Sequence, residues 1–426
     1  MFKTAIRYVL GYKHRTLLTF FLILIGSFLI SFLRFFSYGS HELMIWNVVG
    51  LHSGYVQIAA NGWLESLTLQ RALDTDEKLI DRISSIKGVQ VVSPRIFSYA
   101  LINFKENSKY VSVLGANPEK ERFVTTVHEK IRKGEYYKNT ESEHEANIGH
   151  KLARNLGMQV GDSAYLIGSQ FDGSMSGIKI KLVGIFQASD TELDTSRVFI
   201  NLKSAKKLFA PDNSEENITR YTSLALGIRN HREAELIFQN LKKQYPLPAL
   251  EKGELREESE NFEPVALNWE DLNPGILQFV LLDQIQGEMS IAFLILILAF
   301  GVLNTVQMSI QERIREFGSL LAIGTKPFDI QKMIVYEVLL ILSPAIFLGN
   351  LIAIFYANYL DKHPIVLTGN TADAYADLGF LPVLKAIADP KEMWIGVLSL
   401  LIPSLIFTVL ATRRLYRLNP VEIINS

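Results

Sequence analysis

SIQERIREFGSLLAIGTKP, residues 309–327, lies between two long apolar runs, Ile291–Met308 and Met333–Tyr356, yet packs Glu312, Arg313, Arg315 and Glu316 together. At ~1.5 Å per helical residue, runs of roughly 18–20 residues cover the ~30 Å hydrocarbon core of a bilayer. Two such runs joined by a charged segment predict two membrane crossings with the segment emerging at one surface. Ile310, Ile314, Phe317 and Leu321 recur at the spacing of one helical face, which predicts an amphipathic helix beginning near Ile310. Glu312, Arg313 and Glu316 turn away from that face. Gly318 and Ala322 remove bulk from one side, Gly324 can end the helix, and Pro327 blocks its continuation. The expectation is a helix in the inner interface, its apolar side in lipid and its charged side open to the cytoplasm for a protein groove.

Working outward, Leu17–Phe36 and Met393–Thr412 are two further apolar runs. Lys3, Arg7, Lys13 and Arg15 make a basic leader. The apolar stretch after it exceeds a signal-peptide core, and Ser37-Tyr38-Gly39 is a poor cleavage site, so an uncleaved anchor is expected. Lys and Arg flank the runs at the leader, at 309–332 and at Arg413, Arg414 and Arg417, which places all three segments and both termini in the cytoplasm. The predicted order is an amphipathic N-terminus at 1–16, spans at 17–36, 285–308, 330–357 and 393–412, a coupling segment at 309–328 and a tail at 413–426. Residues 37–284 and 358–392 then lie outside.

The spans carry signs of a bundle. Ser27 and Ser31, and Ala345, Gly349 and Ala353, repeat every four residues, a spacing that lets helices approach closely in lipid. Pro344 and Pro403 are expected kinks. Glu337 is either a functional intramembrane carboxylate or a solvated one at the inner interface.

The outer segment reads as a mixed α/β domain. SGYVQIAA (53–60), VQVVSPRIFSYALINF (89–104), KYVSVLGA (109–116), SLALGI (223–228) and PVALNW (264–269) read as strands; 76–86 and 233–245 read as helices. Two strand–helix–strand units separated in sequence are expected to share a sheet. Between them ANIGHKLARNLGM predicts a short helix closed by Gly157, followed by strands VGDSAYLI and GIKIKLVGIF around the loop GSQFDGSMSG (168–177). The acidic stretch 251–263 reads as a solvated loop.

Chemistry is sparse. There is no cysteine and the net charge is −1, so thiolate sites are excluded and no basic, aromatic-interleaved patch points to nucleic acid. GSQFDG has glycines at the phosphate-loop interval but no following lysine, so the chain does not bind ATP in that way. His144 and His150 do not fit a zinc helix. Asp190, Glu192 and Asp194 are either a cation cluster or, more simply, a turn. No catalytic centre, cofactor or metal is expected.

Asn304–Ile330, NTVQMSIQERIREFGSLLAIGTKPFDI, resembles the signature of FtsX/MacB-like permeases of ABC transporters, the family that includes the lipoprotein-releasing LolC/LolE subunits. The match runs through Asn304, Met308, Glu312, Arg313, Glu316, Gly318, Ala322 and Gly324. SGYVQI, VLGANPEKE, GHKLARNLGMQVGDSAYLI, LVGIF, NWEDLNP and NPVEII resemble family segments in order, so the resemblance covers essentially the whole chain. It implies an α-helical membrane protein with four transmembrane helices and a large extracytoplasmic α/β domain, a porter-like part (48–130 and 215–270) with an inserted β-rich sabre-like part (140–210). It implies a coupling helix, Gln311, Glu312, Arg313, Arg315, Glu316, Phe317, Gly318, Ala322 and Gly324, seated in two copies of a separate ATPase that holds ATP and Mg. A second permease would complete a homo- or heterodimer in the bacterial inner membrane. By this resemblance the work is lipoprotein release to a periplasmic carrier, with Phe171 and Met175 as exposed anchors of a partner-binding hairpin, although GSQFDGSMSG is short and lacks prolines. Phe35, Phe36, Met44, Ile45 and Trp46 would offer an acyl-chain surface or simply pack on other helices. The alternatives are export with a periplasmic adaptor, as in MacB, and a signalling scaffold for a cell-wall hydrolase, as in FtsX.

Overall fold

The computed structural model describes residues 7–9, 11, 13–51, 53–75, 77–139, 144–188, 191–210, 220–230, 233–245, 263–377 and 383–417. Lys3, Asp190, the acidic stretch from 251 to 262 and the NPVEII ending lie outside them. The chain divides into a unit of residues 1–43, 279–367 and 383–426 and a unit of residues 44–278 and 368–382.

The first unit is helical. Helices α1 (Lys13–Leu51), α2 (Pro274–Glu312), α4 (Pro327–Lys362) and α5 (Pro390–Thr412) are long and apolar enough to cross a membrane, and the short α3 (Ile314–Ala322) follows α2. Each helix outruns the apolar stretch expected from the sequence, because a helix ends where its backbone loses partners and not where its side chains turn polar. Ile23, Leu298, Val302, Phe317, Leu342 and Leu400 form the shared core. The two small-residue stripes meet each other. A methyl group at Gly349 would sit 2.6 Å from the Leu24 carbonyl oxygen, so α4 lies directly on the α1 backbone. There Ser31 Oγ donates to Asn350 Oδ1 (2.8 Å) and Asn350 Nδ2 donates to Ser27 Oγ (3.0 Å). Hydrogen bonds of this kind join helices where hydrophobicity cannot distinguish a neighbour from lipid. Phe35 is packed against Ala353, Ala357 and Leu360 and so presents no acyl-chain surface of its own.

The second unit is built on one ten-stranded sheet. Its strands are β1 (Val56–Ala60), β2 (Val89–Phe104), β3 (Asn107–Ala116), β4 (Ile131–Gly134), β5 (Glu145–Gly149), β6 (Ser163–Ser169), β7 (Met175–Phe186), β8 (Arg197–Asn201), β9 (Ser223–Ile228) and β10 (Pro264–Asn268). The order is β10-β1-β9-β2-β3-β8-β5-β7-β4, and β6 pairs with both β7 and β2. That last pairing closes β2, β3, β8, β5, β7 and β6 into a ring. The inserted stretch therefore shares its strands with the flanking hairpin and does not form a sheet of its own. Length explains this. β2 has 16 residues, so Val89–Arg95 pairs with β9 while Ala100–Asn103 pairs with β6. Ile102, Val113, Ile148, Leu166, Ile180 and Ile200 fill the ring. Val56, Ile58, Leu224, Ile237 and Leu241 form a second core where the helix Ala234–Gln244 packs.

Three local expectations change. ANIGHKLARNLGM is not helical throughout: Glu145–Gly149 is a strand between β7 and β8, and the helix begins at His150. Buried on both faces, that strand has the apolar look of a helix core. Gly157 ends the helix at φ 73°, a left-handed conformation that suits glycine. The loop 168–177 shrinks to Gln170–Ser174, because β6 and β7 pair as far as Ser169 and Met175. Glu192 and Asp194 lie in a helix, Thr191–Ser196, and Asp194 accepts from the backbone N–H groups of His150 (2.9 Å) and Lys151 (3.0 Å). It thereby satisfies the free N–H groups at the start of the earlier helix, His150–Leu156, where a negative charge is favourable. His144 Nδ1 bonds Ser204 Oγ at 2.8 Å.

Candidate functional site

The segment 309–327 does not fold as one helix. α2 continues through Gln311 and Glu312, the chain breaks at Arg313 (φ −110°, ψ 17°), and α3 restarts at Ile314. The break has a visible cause. The Arg313 side chain is 0% exposed, and its Nη1 donates to Glu337 Oε2 at 2.9 Å. Its Nε reaches Glu316 Oε2 at 3.3 Å, and its guanidinium lies 3.4 Å from the centroid of the Tyr8 ring. Arg15 completes the cluster, donating to Glu337 Oε1 and to Glu312 Oε2, each at 2.9 Å. Glu337 thus holds one arginine on each oxygen, at 5% side-chain exposure. Two buried cations cost much to desolvate unless paired, and carboxylates from α2, α3 and α4 supply the pairing.

The sequence expectation needs correcting on three points. Arg313 and Glu312 do not face outward as a free charged surface; they are tied into the bundle. Phe317 is buried in the helical core and Leu320 and Leu321 pack on it, so the apolar stripe of α3 rests on protein and not on lipid. Gly318 is buried with Phe317 on the side of α3 that faces the bundle. What remains open is another set: Gln311, Arg315, Ser319, Ala322, Gly324 and the outer part of Glu316, with Ile323 at 83% exposure and Phe328 also exposed. Gly324, at φ 96°, turns the chain out of α3. Arg15 was read only as an orientation signal. Its role as partner of Glu337 was invisible, because the two are 322 positions apart.

The hairpin tip divides its two candidates. Met175 is 69% exposed. Phe171 is not an exposed anchor: it packs against the ring core, and its N–H bonds the Phe209 carbonyl at 2.9 Å. Met175 stands at the end of a patch that sequence reasoning missed. Leu101 on β2 lies opposite Tyr110 on β3 and Ile167 on β6, and Tyr99 stacks on Tyr110 with centroids 5.8 Å apart. All four, with Tyr165, are exposed large hydrophobics. Exposed large hydrophobics gathered on one face are unusual on a protein surface. The available signal was SYALINF: with Ala100 and Ile102 facing inward, Tyr99 and Leu101 must face outward.

Residues 16–239 match the MacB-like periplasmic core domain family, more than half of the chain, and residues 289–420 match the FtsX-like permease C-terminal family. The chain belongs to the FtsX/MacB-like permease family. The permease is 25% identical over 265 residues to an uncharacterized ABC transporter permease of Methanocaldococcus jannaschii, covering 61% of this chain and 60% of that one. It is 21% identical over 270 residues to the lipoprotein-releasing system transmembrane protein LolC of Neisseria meningitidis serogroup B, covering 62% and 60%. The permease thus spans about 60% of the length of these curated relatives. Among solved structures it is similar to the periplasmic region of MacB from Actinobacillus actinomycetemcomitans (14% identity, 54% and 95% coverage, TM-score 0.33). It is also similar to the extracellular domain of the ABC-type transporter YknZ from Gram-positive bacteria (12% identity, 50% and 99% coverage, TM-score 0.32).

Proposed function

We propose that the permease is the non-catalytic transmembrane subunit of an ABC transporter, driven by a separate cytoplasmic ATPase that carries the ATP and Mg. Two ATPase copies and a second permease, the same chain or a homologue, would complete the assembly in the bacterial inner membrane, with both termini cytoplasmic. The observation that carries the reading is the two-sided character of α3. One side, Phe317 and Gly318, is locked into the bundle beside the Arg15–Glu337–Arg313 cluster. The other presents Arg315, Ser319, Ala322 and a bare Ile323 at the surface. A push on the open side is delivered through the cluster to α1 and α4.

The cargo reading is lipoprotein release from the inner membrane to a periplasmic carrier, supported by the similarity to LolC. The patch of Tyr99, Leu101, Tyr110, Ile167 and Met175 is the docking surface proposed for that carrier.

The test is purification of the permease from its own membranes in mild detergent, with bound proteins identified by mass spectrometry. A lone ATPase together with acylated proteins or their carrier supports the full reading. An ATPase with a periplasmic adaptor replaces release by export. A cell-wall hydrolase replaces it by signalling. Recovery without any ATPase overturns the proposal.

A further inference from the structure

Helices α1 and α2 pack closely at one end and part at the other. A methyl group at Gly26 would run into Leu298, and one at Gly301 would sit 2.6 Å from Leu22. In the same region Thr19 Oγ1 donates to Thr305 Oγ1 at 3.3 Å. A methyl group at Gly287, by contrast, would meet nothing within 4 Å. Residues 281–290 of α2 are all exposed except the half-buried Gly287, whereas Leu298, Ala299, Val302 and Val306 of the same helix are buried. A cavity of about 440 Å³ lies in the wedge, lined by Leu33, Arg34 and Phe36 of α1, Gly287 and Glu288 of α2 and Glu392 of α5. Apolar packing therefore does not hold this stretch of α2 to α1; ion pairs cross the gap. Arg34 Nη2 donates to Glu288 Oε2 at 2.9 Å and its Nη1 donates to Glu392 Oε2 at 3.0 Å. Two turns further along α1, His41 Nε2 and Asp283 Oδ2 are 2.7 Å apart. The two partners of Arg34 are unequal. The arginine side chain is 8% exposed, that of Glu392 21% and that of Glu288 50%. A buried guanidinium has to keep a carboxylate, while a pair with a half-exposed carboxylate contributes little. Glu288 is thus the partner that Arg34 can release, because Glu392 remains.

We propose that Arg34 is the latch of a two-state wedge between α1 and α2. In the closed state it holds Glu288 and Glu392 together. In the open state it keeps Glu392 alone, and residues 281–290 of α2 bow away from α1. The His41–Asp283 pair parts with them. The open state costs little, because the released Glu288 already reaches water and no apolar side chain of 281–290 leaves a buried seat. Glu392 is what makes the latch reversible: it keeps the buried cation paired whichever state α2 adopts. The proposal concerns this chain alone and is independent of the lipoprotein reading.

The test is a labelling rate. The chain has no cysteine, so Gly287→Cys supplies a single thiol, at a position where added bulk meets open space. The full chain in detergent is treated with a maleimide carried on a polyethylene glycol chain too bulky for the closed cavity. In this background Glu288→Gln should raise the rate about fivefold, the most that one exposed ion pair holds back. Its thermal midpoint should stay close to that of the parent. Glu392→Gln should act in the opposite direction and lower the rate at least about twofold, since opening would then strand a buried arginine without a carboxylate. General loosening of the bundle would raise both rates, so the opposed signs separate a latch from a merely structural pair. A rate unchanged in Glu288→Gln overturns the proposal. A rate that rises in Glu392→Gln overturns the role of Glu392 as the partner that Arg34 keeps.

Discussion

Arg313 Nη1 stands 2.9 Å from Glu337 Oε2, joining the break after α2 to the interior of α4 with neither side chain more than 5% exposed. Both charges are out of water, so each depends on the other. Arg15 depends on the same carboxylate from the opposite side.

Glu337→Gln should therefore destabilise the helical unit by about 3–5 kcal/mol, the usual cost of stranding a buried partner. The variant Arg15→Leu, Arg313→Met, Glu337→Leu, which removes the charges together, should recover most of that loss. Thermal unfolding in detergent measures both. A Glu337→Gln protein as stable as the parent would mean that the cluster is solvated.

Ile323→Asp should leave stability within about 0.5 kcal/mol, as for exposed sites generally. It should reduce ATPase co-purification and the ATP turnover stimulated by the permease at least severalfold. Retention of full stimulated turnover would remove Ile323 from the contact.

Tyr110→Asp and Met175→Asp test the outer patch. Each side chain is about two-thirds exposed, Tyr110 at 67% and Met175 at 69%, so folding should be unaffected. Capture of a periplasmic partner by crosslinking should fall in both, and furthest in the double variant. Phe171→Asp should differ from them by costing stability, since Phe171 packs on the ring core.

His144 gives a pH dependence of known sign. Burial, with the nearby Lys207 charge, holds its imidazole below the ordinary value of 6.5. The folded form thus binds the proton less readily than the unfolded chain. The stabilising contribution is complete above 6.5 and is lost as pH falls below that value toward the lowered one. His144→Gln should flatten the fall of the thermal midpoint on the acid side of 6.5 while leaving it little changed at neutral pH. Parallel curves for the two proteins would refute the assignment.

The four long helices were legible because each carries its own evidence: an apolar run of membrane length. The small-residue stripes were legible for the same reason, and Gly349 does meet Ser27. The break at Arg313 was not, because a local pattern cannot show that a charge on the polar face of a helix has a carboxylate waiting on another helix. Phe171 and Met175 looked alike as apolar residues of one loop; only the seat beside Phe209 separates them. The closed ring was hidden because its final ladder pairs Leu101 with Ile167, and strand alternation says which side a residue faces but not which strand lies beside it.

The long strand Val89–Phe104 belongs to three cores at once, giving Val92 to one, Ile96, Ala100 and Ile102 to a second and Phe97 to a third. No one of them can come apart without stripping that strand from the others. Amide protons along its whole length should consequently exchange at one common slow rate, and the outer domain should melt as a single cooperative block, with no half-unfolded species for a protease to trap.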